Sequence, residues 1–272
     1  MLPAPAAQSG AEQSERDGEP RRAEQPAAPS AGKRTFRFFR ELLIVVVGAL
    51  IVSALLRAFV AQMFTIPSMS MEETLQINDR VLVQKVTGFA RGDVVVFADP
   101  GGWLSDQPAE RNAMRQVLEF VGVLPATDKQ YLIKRVIGMP GDKVSCCTPD
   151  GKLTINDRPL DEPYLAPSGA GQAVASMVEF TVVVPAGRIF VLGDNRAGSR
   201  DSRCHLSSET PGQPVGMGAF VPVTNVVGPA LAVVAPLNRF SRFETPPSFA
   251  SIPSPQGDPP AVPAIQPSGI SC

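Results

Sequence analysis

The sequence predicts a mainly β domain held behind one N-terminal transmembrane helix. Three observations predict it. A single uncharged run that is apolar all round, LLIVVVGALIVSALL, lies between Leu42 and Leu56. From about Phe64 to Phe240, short β-branched runs alternate with turn formers. The two ends are rich in Pro and small polar residues, a composition that buries too little apolar surface to offset its chain entropy.

The N-terminal stretch, residues 1–34, reads as a disordered tail. Lys33, Arg34, Arg37 and Arg40 form a basic cluster that runs into the next segment, 35–61. Extended through Ala61, the apolar run reaches about 20 residues, roughly 30 Å of helix, enough to cross a bilayer. Arg57 falls near its far end, where a long side chain can snorkel to the head groups. A cleavable signal peptide or a buried core helix would also be apolar. The run lies deep in the chain, no small-x-small site follows it, and it has no polar face, so a membrane anchor is the preferred reading. Basic residues before the span put the N-terminus in the cytoplasm and everything after Gln62 outside the cell membrane.

Residues 62–240 are expected to be an extracytoplasmic β domain. RVLVQKV, DVVVF, YLIKRVI, FTVVV, IFVLG and NVVGPALAVVAPL are its candidate strands. The last is too short for a second span and contains Pro229 and Pro236. An insert at about 99–130 opens with DPGGWLSDQP. Met114, Val117, Leu118 and Val121 then recur at helical spacing. It reads as a short packed helix between two strands, with a flap touching membrane or substrate through Trp103 and Leu104 as the alternative. The Pro/Ser-rich segment 241–272 is expected to have no fixed structure.

Composition removes some function classes. A formal net charge of −1 gives no reason to expect a nucleic-acid partner. Four cysteines without a C-x-x-C pair, and one histidine, His205, argue against a zinc site.

Three segments carry candidate chemistry. Just past the span, Ser68 and Ser70 sit in FTIPSMSMEETLQINDRVLV. A serine hydroxyl is a poor nucleophile until a base takes its proton. In YLIKRVI, strand alternation puts Leu132, Lys134 and Val136 on one face and Arg135 on the other. Burial on an apolar face lowers a lysine's pKa, and a lysine neutral near pH 7–8 can act as that base. The third segment, GDNRAGSRDSR from Gly193 to Arg203, is a dense polar loop suited to orienting such a base. Taken singly, each has an ordinary reading: a loop hydroxyl, a lysine reaching past its neighbours to water, a surface turn.

Together they resemble the type I signal peptidases, the Ser/Lys-dyad bacterial leader peptidases. The S-x-S-M-x-x-T-L box matches Ser68 to Leu75 and the R-G-D-V-V-V-F box Arg91 to Phe97. The Y-x-I-K-R-V-I-G-x-P-G-D box matches Tyr131 to Asp142, and the G-D-N-R-x-x-S-x-D-S-R box Gly193 to Arg203. The resemblance implies a coiled antiparallel β-sheet catalytic domain. It implies Ser70 as nucleophile and Lys134 as general base, with the Ser70 N–H and Ser68 hydroxyl as oxyanion hole. Ser199 would hydrogen-bond Lys134. Asp201, Arg203, Asp194 and Arg135 would hold the surrounding loops, and Ile66, Met71, Leu75, Leu132 and Val136 would line the substrate pockets. It implies removal of signal peptides from preproteins, cutting after small-x-small sites, with no metal or organic cofactor. Membrane lipid and, indirectly, the export machinery would be its partners. Two positions depart from the resemblance: Glu73 stands where Pro is frequent, and Met69 where Gly is common.

Two rival readings remain. A membrane-tethered, non-catalytic binding or scaffold domain does not need Ser70 and Lys134 to meet. A self-cleaving repressor shares the dyad chemistry but needs a DNA-binding module, and no helix-turn-helix pattern precedes this domain. Four cysteines allow three full pairings, and Cys204 is expected to bond Cys146 or Cys147.

Overall fold

The computed structural model describes residues 31–104, 130–167, 171 and 173–266. The expected tail before residue 31, the middle of the insert (105–129) and residues 267–272 lie outside the described residues.

Helix α1 spans Ala31–Phe59. Within Thr35–Phe59 an 18-residue window has a mean hydropathy of 2.6 and none of that window is buried; among the described residues no other helix is long and apolar enough to cross a membrane. The chain divides into an N-terminal unit, ending at Val47, and a second unit from Gly48 onward that holds all the strands among the described residues. The helix stops slightly short of the expected Ala61, because Ala61–Thr65 is already strand β1. At the helix end Lys85 Nζ donates to the Arg57 carbonyl at 3.0 Å, satisfying one of the terminal acceptors that a helix leaves open.

The six runs expected as strands all form. They are β2 (Arg80–Gln84), β3 (Val94–Ala98), β4 (Tyr131–Gly138), β8 (Phe180–Val183), β9 (Arg188–Leu192) and β11 (Val226–Ala235). Shorter strands join them: β5 (Lys143–Cys146), β6 (Thr154–Ile155), β7 (Arg158–Pro159), β10 (Val221–Pro222), β12 (Ser241–Arg242) and β13 (Ala264–Gln266). One sheet runs β1-β2-β11-β3-β4-β9-β10 with β12 on β11; the other runs β13-β8-β5-β6-β7. The described pairings are antiparallel throughout. Mainly β, antiparallel and bent, the fold is of the expected class.

Bulges supply the bend. β11 pairs with β3 through Val226 to Pro229 and with β2 from Ala230 onward, with register shifts on both sides. Gly228 lies at this crossing with φ of +157°, and a Cβ there would stand 1.8 Å from the Gln84 carbonyl oxygen. Only glycine lets the strand change partner at that point.

The register of β3 against β4 sorts two cores. Val95 faces Lys134 and Phe97 faces Leu132; Val94 faces Arg135 and Val96 faces Ile133. Val95, Phe97 and Val136 pack with Trp103, Ile189 and Val191. Val94, Val96 and Ile133 pack with Ile66, Met71, Leu75, Val81 and Val83. A third core, including Phe180, Phe190 and Phe220, lies against the second sheet.

Two expectations are corrected. The segment after Ser241 was expected to lack structure, yet residues 241–266 pack on the domain. Phe249 and Ile252 join the third core and are 5% and 7% exposed, and β13 pairs with β8. Polar anchors hold the rest: Thr245 to Asp93, Asn156 Nδ2 to the Pro253 carbonyl at 2.9 Å, and the Ala186 N–H to the Pro260 carbonyl at 2.8 Å. Isolated apolar residues and main-chain bonds suffice because the prolines lower the entropy lost on ordering. The expected bond from Cys204 to Cys146 or Cys147 is absent, because those two are disulfide-bonded to each other. At the root of the insert Trp103 points inward, which goes against the flap given as the alternative, while the helix of the preferred reading lies outside the described residues. Trp103 is 4% exposed, lies edge-on to Phe97, stacks on His205 at 4.7 Å, and donates from Nε1 to the Gly218 carbonyl at 2.8 Å.

Candidate active site

Ser70 and Lys134 meet. Lys134 Nζ donates to Ser70 Oγ at 2.5 Å, and the two residues are 3% and 8% exposed respectively. Lys134 stands on the face of β4 that carries Leu132 and Val136, as alternation predicts, with Val95 opposite it. Burial there pushes its pKa down from 10.5 to about 8. Asp201 and Asp194 pull it back up, and Arg203 pushes it further down. Desolvation dominates because the ammonium loses its water and, among the described residues, gains no carboxylate in direct contact. A primary amine so shifted has a sizeable neutral fraction near neutral pH and can take a proton from the hydroxyl it touches. The Ser68 hydroxyl lies 3.4 Å from Ser70 Oγ.

The loop from Gly193 to Arg203 holds the serine segment by its main chain. The Asn195 N–H donates to the Ser70 carbonyl at 3.1 Å, and Asn195 Nδ2 donates to the Met69 carbonyl at 3.1 Å. Thr74 Oγ1 donates to Asp194 Oδ2 at 2.5 Å. Gly193 is needed for this approach: a Cβ there would stand 2.4 Å from the Ser70 carbonyl oxygen and 2.2 Å from Ser199 Oγ. Asn195, Thr74 and Gly193 are site residues that sequence reasoning passed over, although each lies inside a quoted box.

Behind this contact is a buried ionic network. Arg135 forks onto Asp194 at 2.9 and 2.6 Å and donates from Nη1 to the Gly92 carbonyl at 2.7 Å. Its guanidinium lies 3.9 Å from the Tyr164 ring centroid. Burial is the largest single influence and opposes its charge, but the Asp194 charge and hydrogen bonds, with Tyr164, together leave the pKa raised. Arg203 forks onto Asp201 at 2.9 and 2.8 Å, and Asp201 also accepts from the Gly193 N–H at 3.0 Å. Burial is the largest single influence and drives the Asp201 carboxyl up, but the Arg203 charge and hydrogen bonds and the Gly193 N–H together hold it below the usual carboxylate range. Arg196, paired with Glu162, donates to the Gly193 carbonyl at 3.0 Å. Such pairs add little net stability but are costly to break singly, so they fix the loop's shape.

The expected Ser199 to Lys134 hydrogen bond is not made. Lys134 Nζ is directed to Ser70. Ser199 Oγ is buried with no hydrogen-bond partner among the described residues, although its hydroxyl contributes a minor lowering of the Asp201 pKa.

A cleft of about 170 Å³ opens beside the dyad. Ile66, Leu132, Ser68, Ser70 and Lys134 line it as expected, together with Phe64, Tyr131, Ile133, Val96 and Leu104. Met71, Leu75 and Val136 do not. All three are fully buried, Met71 and Leu75 beside Val81 and Val136 beside Phe97. A helical turn closed by the Leu75 N–H on the Met71 carbonyl at 2.7 Å draws Met71 and Leu75 inward. Glu73 in that turn has φ of +70°, which a proline ring cannot adopt, so the departure there comes with its own backbone path. Phe64 and Tyr131, missed as lining residues, lie edge to face at 5.1 Å.

The sequence family described as "Signal peptidase, peptidase S26" matches residues 39–235. A signal peptidase I of Mycobacterium tuberculosis is 38% identical over 232 residues, covering 78% of this chain and 77% of its own length. A signal peptidase I of Leptolyngbya laminosa is 34% identical over 211 residues, covering 76% and 85%. Signal peptidase I U of Bacillus subtilis is 30% identical over 196 residues, covering 70% and 89%.

Proposed function

Because this chain belongs to the peptidase S26 family of signal peptidases, we propose that it removes signal peptides from preproteins as a serine endopeptidase built on a Ser70/Lys134 dyad. The observation that carries the dyad is the 2.5 Å contact between Lys134 Nζ and Ser70 Oγ, in a site where burial brings the lysine to about 8.

Neutral Lys134 takes the Ser70 proton as Oγ attacks the carbonyl carbon of the scissile bond. The Ser68 hydroxyl and the Ser70 N–H stabilise the oxyanion. The tetrahedral species collapses, the C–N bond breaks, and the Lys134 ammonium gives its proton to the leaving amine. An acyl-Ser70 ester is left. Lys134 then takes a proton from a water that attacks the ester, and returns it to Ser70 Oγ on release. A scaffold domain has no use for a buried amine against a serine hydroxyl, which disfavours the non-catalytic alternative.

The preferred cut follows small-x-small residues. The narrow apolar cleft lined by Phe64, Ile66, Tyr131 and Leu132 supports this. Helix α1 anchors the enzyme in the cell membrane with the basic cluster inside and the strands outside, so that lipid and, indirectly, the export machinery are its neighbours. Protease added to spheroplasts should then digest the region after Gln62; its full protection refutes the orientation.

The experiment is cleavage of a purified preprotein by the full chain. Folded Ser70→Ala and Lys134→Ala should be inactive. Lys134→Arg should be inactive too, since a guanidinium does not give up its proton. His205→Ala should keep most activity. Loss in His205→Ala with turnover retained in Lys134→Ala overturns the mechanism.

A further inference from the structure

The family match ends at residue 235, yet Phe249 is built into the third core. Its ring covers Gly92, where an added Cβ would stand 2.7 Å from Phe249 Cδ2 and 2.9 Å from Cγ. It also lies nearly parallel to the Tyr164 ring, at 6.4 Å and 16°. These two neighbours are the groups that hold the Arg135 guanidinium apart from its carboxylate. Gly92 supplies the carbonyl that accepts Nη1, and Tyr164 supplies the ring against its face. Arg135 in turn forks onto Asp194, which accepts the Thr74 hydroxyl of the serine segment and precedes Asn195, the donor to the Ser70 carbonyl.

From this contact chain we propose that Phe249, in the C-terminal segment, is a positioning residue for the reaction: by pressing on Gly92 and Tyr164 it fixes Arg135 and Asp194, and through them the Ser70 loop and the surroundings of Lys134. The inference rests on the Ser70/Lys134 reading.

Its signature is electrostatic. The charges acting on Lys134 are Asp201, Asp194 and Arg203, and burial holds its proton affinity down. Removing the Phe249 ring loosens the Arg135–Asp194 fork. A less neutralised Asp194 favours the protonated lysine and so moves the acid limb of the rate profile to higher pH. A limb raised by about half a pH unit lowers the rate at pH 7 about threefold. The effect falls on kcat rather than KM, because Phe249 does not line the cleft.

The test is the pH dependence of kcat and KM for the full chain, with a preprotein substrate, in Phe249→Ala, Phe249→Leu and Ile252→Ala. Phe249→Leu keeps the segment packed and removes only the ring, so it reads the proposal if Phe249→Ala does not fold. Ile252 lies in the same segment and core and serves as the control for lost packing alone. Expected is an acid limb raised by about half a unit or more in the Phe249 variants, with KM nearly unchanged and Ile252→Ala keeping the parent profile while melting at lower temperature. A parent-like profile in a folded Phe249→Leu, or the same shift in Ile252→Ala, overturns the inference. Residual cleavage by Ser70→Ala, measured alongside, would instead remove the dyad on which it rests.

Discussion

The main-chain N–H of Asn195 donates to the carbonyl of Ser70 at 3.1 Å. Ser70 is thus gripped by its backbone from a loop far along the chain, while its side chain meets Lys134 at 2.5 Å. One contact sets where the serine stands and the other sets its reactivity.

Activity should rise with pH. Lys134 must be neutral to accept the Ser70 proton, and burial brings its pKa from 10.5 to about 8. Below that value the neutral fraction falls about tenfold per pH unit, so kcat/KM should climb from pH 6 and level off above about 8. A rate profile flat between pH 6 and 8 would contradict this assignment.

Lys134→Met should be inactive but more stable than the parent at pH 7. The drop from 10.5 to about 8 amounts to roughly 3 kcal/mol held against the charged form, an upper bound on the gain because Ser70 loses its partner. The folded pKa lies below the unfolded one, so the unfolded chain holds more protons between them. The parent's stability therefore rises across about pH 8 to 10.5, and the advantage of the variant should shrink over that window. Melting temperatures of both proteins across pH measure it.

Gly193→Ala should lose activity with a modest loss of stability. The new Cβ would meet the Ser70 carbonyl at 2.4 Å and Ser199 Oγ at 2.2 Å, so the serine segment must move. Overpacking of this kind costs about 1–3 kcal/mol, while displacing a reacting atom by about 1 Å can cost about 100-fold in rate. Thermal melts and kcat on one preparation separate the two effects.

Truncation after Phe240 should destabilise the whole domain. It removes Phe249 and Ile252 from the core, strand β13 from β8, and the partner of Asp93. Loss of a buried Phe side chain alone costs about 3–5 kcal/mol. Urea titration of the truncated chain should give a much lower midpoint than the full chain, and an unchanged midpoint would mean that the segment contributes nothing.

The sequence by itself determined the elements whose signal is local. An uncharged apolar run makes α1, β-branched runs between turn formers make β2, β3, β4, β8, β9 and β11, and period-two alternation puts Lys134 on an apolar face and Arg135 on the other. Four boxes in order made Ser70 and Lys134 a pair worth testing. Only the tertiary structure decided that Lys134 Nζ reaches Ser70 Oγ, that Ser199 does not reach Lys134, and that Met71, Leu75 and Val136 are core while Phe64 and Tyr131 line the cleft. It also decided that a Pro-rich C-terminal segment is ordered through Phe249 and Ile252, and that Cys146 bonds Cys147. The physical reason is range. Alternation and composition record which side of its own element a residue occupies, whereas a cleft, a core or an ion-pair network exists only where elements distant in sequence pack together.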